Sequence, residues 1–143
     1  MRISQYMTRK VLVGHPKDGV RQTFFLMRSE GVRHLPVVDD AQHLVGIISD
    51  RDLRRPDWVD EDFMVSHPYK LDDGLLIEDL MTRAPMVVHT YDSIGKAVEI
   101  LAEHRFGALP VLDREERLVG ILSAYDLLTA MGELLAELRG GRR

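Results

Sequence analysis

Leu35-Pro36-Val37-Val38-Asp39 is followed, across a short polar stretch, by Leu44-Val45-Gly46-Ile47-Ile48-Ser49 and then Asp52-Leu53. The same text returns 74 residues later as Leu109-Pro110-Val111-Leu112-Asp113, Leu118-Val119-Gly120-Ile121-Leu122-Ser123 and Asp126-Leu127. Extending the match backwards, residues 7–53 align with 81–127 without a gap and are identical at 17 of 47 positions. Met7-Thr8-Arg9 and Met81-Thr82-Arg83 open the two copies. Two copies make a pseudo-twofold pair; a solenoid needs three or more.

Each copy reads as β-α-β-β-α. Val11–Val13 and Met86–His89 are short β-rich runs. Asp18 and Asp92 are candidate helix N-caps. Behind them Val20, Phe24 and Met27, and Ile94, Ala97, Val98 and Leu101, recur at helical spacing. Gly31 suits the left-handed position that closes a helix. Two apolar runs separated by about five polar residues then predict a hairpin. The helix after Ser49 meets Pro56 early, whereas the one after Ser123 carries an apolar face of Leu127, Leu128, Met131, Leu134, Leu135 and Leu138, up to Gly140-Gly141. The organisation expected is repeat one over 1–55, a linker over 56–76, repeat two over 77–139 and a tail over 140–143. Ile77–Met81 is expected to form a helical turn. A unit of this size would leave one sheet face bare and be marginal alone. The fold class expected is therefore α/β (α+β), two units packed about a pseudo-twofold axis with two equivalent clefts. The linker holds Trp58, Phe63 and Tyr69 among acidic residues, which reads either as a connector packed on the module or as an adaptable docking segment.

With 45% hydrophobic and 29% charged residues the chain can bury a core. No apolar run is long enough to span a membrane, and the N-terminus lacks the apolar region of a signal peptide, so a cytoplasmic location is expected. The absence of cysteine removes disulfides and thiolate chemistry. A net charge of −4 argues against a general nucleic-acid binder. Asn is absent and Arg outnumbers Lys 15 to 4, as in a thermophile or a biased genome. The histidines have no metal-ligand spacing, and no paired catalytic carboxylates or Ser-His-Asp order can be argued.

The repeated Ser-x-x-Asp, Ser49 with Asp52 and Ser123 with Asp126, carries the chemistry. Each serine ends an apolar strand and starts a helix. Free backbone N–H groups and the helix dipole favour a phosphate there, and an aspartate one turn on can accept two hydrogen bonds from a ribose diol. The same spacing is that of a capping box, which needs no ligand. Both roles stay open. Arg33, His34 and Arg51 would place cations beside phosphates in repeat one. Repeat two has Gly107, Ala108 and Tyr125 instead, leaving room for a base or bringing backbone amides close. Arg33 and His34 are equally a solvated turn. Thr90 offers a hydroxyl to a ligand, yet is ordinary strand chemistry.

The doubled pattern resembles the CBS domain, named after cystathionine β-synthase, and a pair of them is called a Bateman module. The resemblance covers about residues 1–138. It implies two repeats packed about a pseudo-twofold axis, frequent dimerisation into a disc, and regulatory binding of adenosine compounds (AMP, ADP, ATP or S-adenosylmethionine). It implies ribose contacts at Asp52 and Asp126 beside Ser49 and Ser123, and base or phosphate contacts at Arg33, His34, Gly107 and Ala108. Two departures stand out: the linker is long, and Gly14-His15-Pro16 replaces Val88-His89-Thr90, so a threonine contact exists in one copy alone.

The function expected is a stand-alone regulatory, energy-sensing CBS pair. It binds an adenine nucleotide as regulatory ligand, uses no cofactor, forms a homodimer and signals in trans to a protein partner, without enzymatic activity. An S-adenosylmethionine sensor is one alternative. A ligand-free interaction module, with the Ser-x-x-Asp pairs acting only as caps, is another. The helix with Met131, Leu134, Leu135 and Leu138 is the expected dimer contact, unless it packs on its own sheet.

Overall fold

The computed structural model describes residues 1–53 and 74–141. The linker aromatics Trp58, Phe63 and Tyr69 lie outside the described residues. The chain is mixed α/β, with two three-stranded sheets and four α-helices among the described residues. It divides into two compact units, Leu12–Pro85 and, from both ends of the chain, Met1–Val11 with Met86–Arg143.

In the first of these, α1 (Val20–Glu30) leads to a hairpin of β1 (His34–Val38) and β2 (Leu44–Ser49), then α2 (Asp50–Leu53). A third strand, β3 (Thr82–Arg83), pairs antiparallel with β2. In the second, β4 (Val88–His89) runs parallel to β5 (Ala108–Leu112), which pairs antiparallel with β6 (Leu118–Ser123). Helices α3 (Ile94–His104) and α4 (Ala124–Gly140) complete it. The opening strand expected at Val11–Val13 is reduced to one bridge, Gly14 with Val37. Glycine weakens a strand and Pro16 has no N–H to donate, whereas Val88 in the other copy is fully buried.

Val20, Phe24 and Met27 are buried as their spacing predicts, and so are Ile94, Ala97 and Leu101; Val98 is exposed and lies off that face. Gly31 closes α1 with φ +67°, where Arg105 takes the same left-handed turn after α3 at φ +57°. The aspartates expected as N-caps act one turn earlier. Asp18 accepts the His15 N–H and Asp92 the His89 N–H, while Gly19 and Ser93 stand at the N-cap positions. In both hairpins the repeated aspartate holds the loop: Asp39 accepts from the Ala41 and His43 N–H groups, and Asp113 from those of Glu115 and Arg117.

The Met-Thr segment that opens each copy belongs to the other copy's unit. Ile77–Asp79 forms the expected helical turn, and Ile77 and Met81 enter the core of α1, β1 and β2. Ile3 and Met7 enter the core of α3, β5 and β6, and Thr8 bridges Ile121. The repeated glycine explains the fit. A Cβ on Gly46 would lie 2.5 Å from Met81 Sδ and 3.0 Å from the Thr82 carbonyl oxygen; on Gly120, 2.8 Å from Met7 Sδ and 2.9 Å from the Thr8 carbonyl oxygen.

Candidate functional site

Register brings most of the sequence-derived candidates together. His34 sits directly across from Ser49 on β1 and β2, and Ala108 across from Ser123 on β5 and β6. The Asp50 N–H donates to the Arg33 carbonyl at 2.9 Å, and the Ala124 N–H to the Gly107 carbonyl at 2.9 Å. Arg33, His34, Ser49, Arg51 and Asp52 thus meet at one strand end of the first unit. Gly107, Ala108, Ser123 and Asp126 meet at the matching point of the second. Thr90 stands apart. It follows β4, beside Leu112, at the far end of β5 from Ala108 and Ser123.

The capping box expected from the spacing is formed in both copies. The Ser49 N–H donates to Asp52 Oδ2 at 2.8 Å and the Asp52 N–H to Ser49 Oγ at 3.1 Å. The Ser123 and Asp126 distances are 2.8 and 3.2 Å. Two of the first three N–H groups of α2 and α4 are therefore engaged inside the protein. A phosphate would find fewer free backbone donors than the sequence alone suggested, and side-chain cations matter more. The second oxygen of each aspartate has no hydrogen bond of its own in the box, so the carboxyl is able to cap and still accept from a diol.

The electrostatics separate the two places. Burial pushes the His34 imidazole below its ordinary pKa, against the pull of Asp50 and Asp52, while Arg33 and Arg51 lower it further. The spacing did not single out Asp50, whose charge reaches His34; its position as the first helical residue was the available signal. Around Ser123 the corresponding positions are Gly107, Ala108 and Tyr125, the last 75% exposed. Along α4, Leu127 packs on the core and Ala130 is buried, but Leu128, Met131, Leu134, Leu135 and Leu138 are all exposed, so this row does not pack on its own sheet. Among the described residues no helix is long and apolar enough to cross a membrane, and no group of three His, Cys, Asp or Glu could hold a metal ion.

Known proteins share this fold. The family model described as CBS domain matches residues 3–56 and 77–133. The chain is 32% identical over 129 residues to an uncharacterised protein, MJ1225, of Methanocaldococcus jannaschii, covering 88% of this chain and 45% of that one. It is 30% identical to the chloroplastic CBS domain-containing protein CBSX1 of Arabidopsis thaliana, covering 90% and 63%. The chain thus spans less than two thirds of the length of each of these two curated relatives. Others carry enzyme names, such as an inosine-5'-monophosphate dehydrogenase of Korarchaeum cryptofilum, of which the chain covers 23%. Among solved structures, CBSX2 in complex with AMP superposes with a TM-score of 0.76 at 31% identity, covering 93% of this chain and 97% of that one. The CBS pair of MJ0100, solved with 5'-methylthioadenosine and S-adenosylmethionine, has a TM-score of 0.73 at 20% identity and shares the fold.

Proposed function

The chain belongs to the CBS-domain family, and we propose that it is a regulatory CBS pair that binds an adenine nucleotide through its repeated Ser-x-x-Asp. The observation that carries this reading is the convergence of Arg33, His34 and Arg51 on Ser49 and Asp52 at the end of β2. Asp52 would accept from the ribose diol, and the three basic side chains would face the phosphate. Ser123 and Asp126 repeat the ribose element beside Gly107 and Ala108, where a neutral moiety meets no charge. Thr90 would add a hydroxyl from outside that cluster. The AMP complex of CBSX2, 31% identical to this chain, supports AMP as the first ligand to test. We read the protein as a binding module and not an enzyme, acting in the cytoplasm on a protein partner. Such a ligand shifts a conformational equilibrium only by its differential affinity for the two shapes. The row of exposed leucines on α4 is proposed as the contact with a second copy. Side chains at i, i+3 and i+4 form a self-complementary stripe, and Leu135→Glu is expected to give a monomer by sedimentation.

The deciding experiment is calorimetric titration of AMP, adenosine, ATP and S-adenosylmethionine into the whole chain. AMP is expected to bind more tightly than adenosine, and Arg51→Ala to remove that preference. Asp52→Asn, which keeps an acceptor for the cap, is expected to weaken AMP at least tenfold. A second reading, a scaffold with no ligand, is favoured by the closed capping boxes. It predicts no heat with any of the four compounds.

A further inference from the structure

We infer that the two units are coupled through the chain itself: each, when folded, closes the ring that the other needs. Residues 12–85 of the first unit are inserted between the two parts of the second, Met1–Val11 and Met86–Arg143. The short part is no loose tail. Ile3 is fully buried, the Ile94 N–H donates to the Met1 carbonyl at 3.0 Å, and Thr8 and Ile121 exchange both backbone hydrogen bonds at 2.9 and 3.0 Å. The second unit therefore cannot complete its core unless residue 11 returns to the neighbourhood of residue 86.

The inserted unit holds its own ends at a matching separation. Gly14 pairs with Val37, Val37 with Gly46, and Gly46 with Arg83, so both ends lie on one row across the sheet. Three strand spacings make that about 14 Å. The receiving unit has the same row: Val88, Val111 and Gly120, with Thr8 opposite Ile121 one residue along. Unfolding the insert replaces this rigid span by a flexible loop of 74 residues. Closure entropy grows as three-halves of the logarithm of loop length, so the population able to close falls on the order of several hundred-fold. By reciprocity the folded outer unit restrains the insert equally.

Native-state hydrogen exchange on the whole chain tests this. Val37 and Val111 are fully buried counterparts in the two units. Val37→Ala is expected to speed exchange tenfold or more, not only at Val38 beside it but equally at Ile121 in the other unit, and Val111→Ala to do the converse. Ile48→Val is the milder variant should Val37→Ala not fold. A flexible insertion of about 30 residues between Val11 and Leu12 leaves every contact in place but reduces the closure advantage to less than about tenfold. With it, Ile121 is expected to stop responding to Val37→Ala. The inference is overturned if Ile121 ignores Val37→Ala in the uninterrupted chain. It is equally overturned if the shared response survives the insertion, since contact between the units would then carry it.

Discussion

The ends of β2 and β6 share a backbone and differ in charge. Both present a serine and an aspartate in a capping box, with distances that agree within 0.1 Å. Around the first stand Arg33, His34 and Arg51; around the second, Gly107, Ala108 and Tyr125. The features that stayed identical are those local structure requires, namely the cap, the loop aspartate and the glycine under the exchanged methionine. Of those that diverged, Arg33, Arg51, Gly107 and Tyr125 are exposed, while His34 is half-buried and Ala108 buried. A duplicated unit is free to change its recognition chemistry only where the fold makes no demand.

The comparison can be broken most severely at the glycine sockets. Gly46→Val and Gly120→Val place carbon against a methionine sulfur and a backbone carbonyl at 3.0 Å or less. Each is expected to cost about 3 kcal/mol in thermal unfolding, and equal losses would show that the two sockets are equivalent. A smaller effect comes from Ser49→Ala and Ser123→Ala, about 1 kcal/mol each as lost caps. If the sites differ in function as proposed, the stability losses agree while Ser49→Ala alone weakens AMP more than adenosine. The left-handed turns come next, with effects no larger than these. Gly31→Ala is expected to destabilise by about 1 kcal/mol, although no atom lies within 4 Å of the added carbon, because the strain is in the backbone. Arg105→Gly is expected to stabilise by a few tenths, relief of the same strain set against a more flexible unfolded chain.

The least effects are in pH. Burial raises the Asp92 carboxyl, but the His89 N–H and the Lys96 ammonium at 3.2 Å outweigh it and hold the group below its ordinary value. Its contribution is present above pH 3.8 and is lost as pH falls through the lower folded value. Asp92→Asn is expected to flatten the acid limb of a stability profile. His34, lowered by burial, loses stability as pH falls below 6.5, because the unfolded imidazole takes a proton first. A bound phosphate would oppose that lowering, so AMP binding at pH 6.5 is expected to draw a proton onto His34, and the proton uptake read by calorimetry in buffers of different ionisation heat is expected to fall in His34→Gln.

Much of the fold was legible. Short apolar runs separated by polar loops gave β1, β2, β5 and β6, and helical spacing placed Val20, Phe24, Met27, Ile94, Ala97 and Leu101 inside. The gathering of Arg33, His34, Ser49 and Asp52 was legible too, because a hairpin sets its partners once its loop length is known. Two readings failed for physical reasons. Val98 matched the helical period and faces out, since the period permits more positions than the sheet covers. Asp18 and Asp92 stood where caps stand, but their carboxyls reach the N–H three residues back, which a one-dimensional motif does not separate from the N–H ahead.

The sequence by itself determined the duplication, the family and the local chemistry of each copy, because these rest on contacts between residues close along the chain. Only the tertiary structure decided which copy's opening segment completes which core. Met7-Thr8 and Met81-Thr82 are the same text, and Gly46 and Gly120 the same socket, so either pairing satisfies the pattern. The choice is made by long-range packing, where burial of Ile3 and Ile77 in the other copy's unit closes both cores at once.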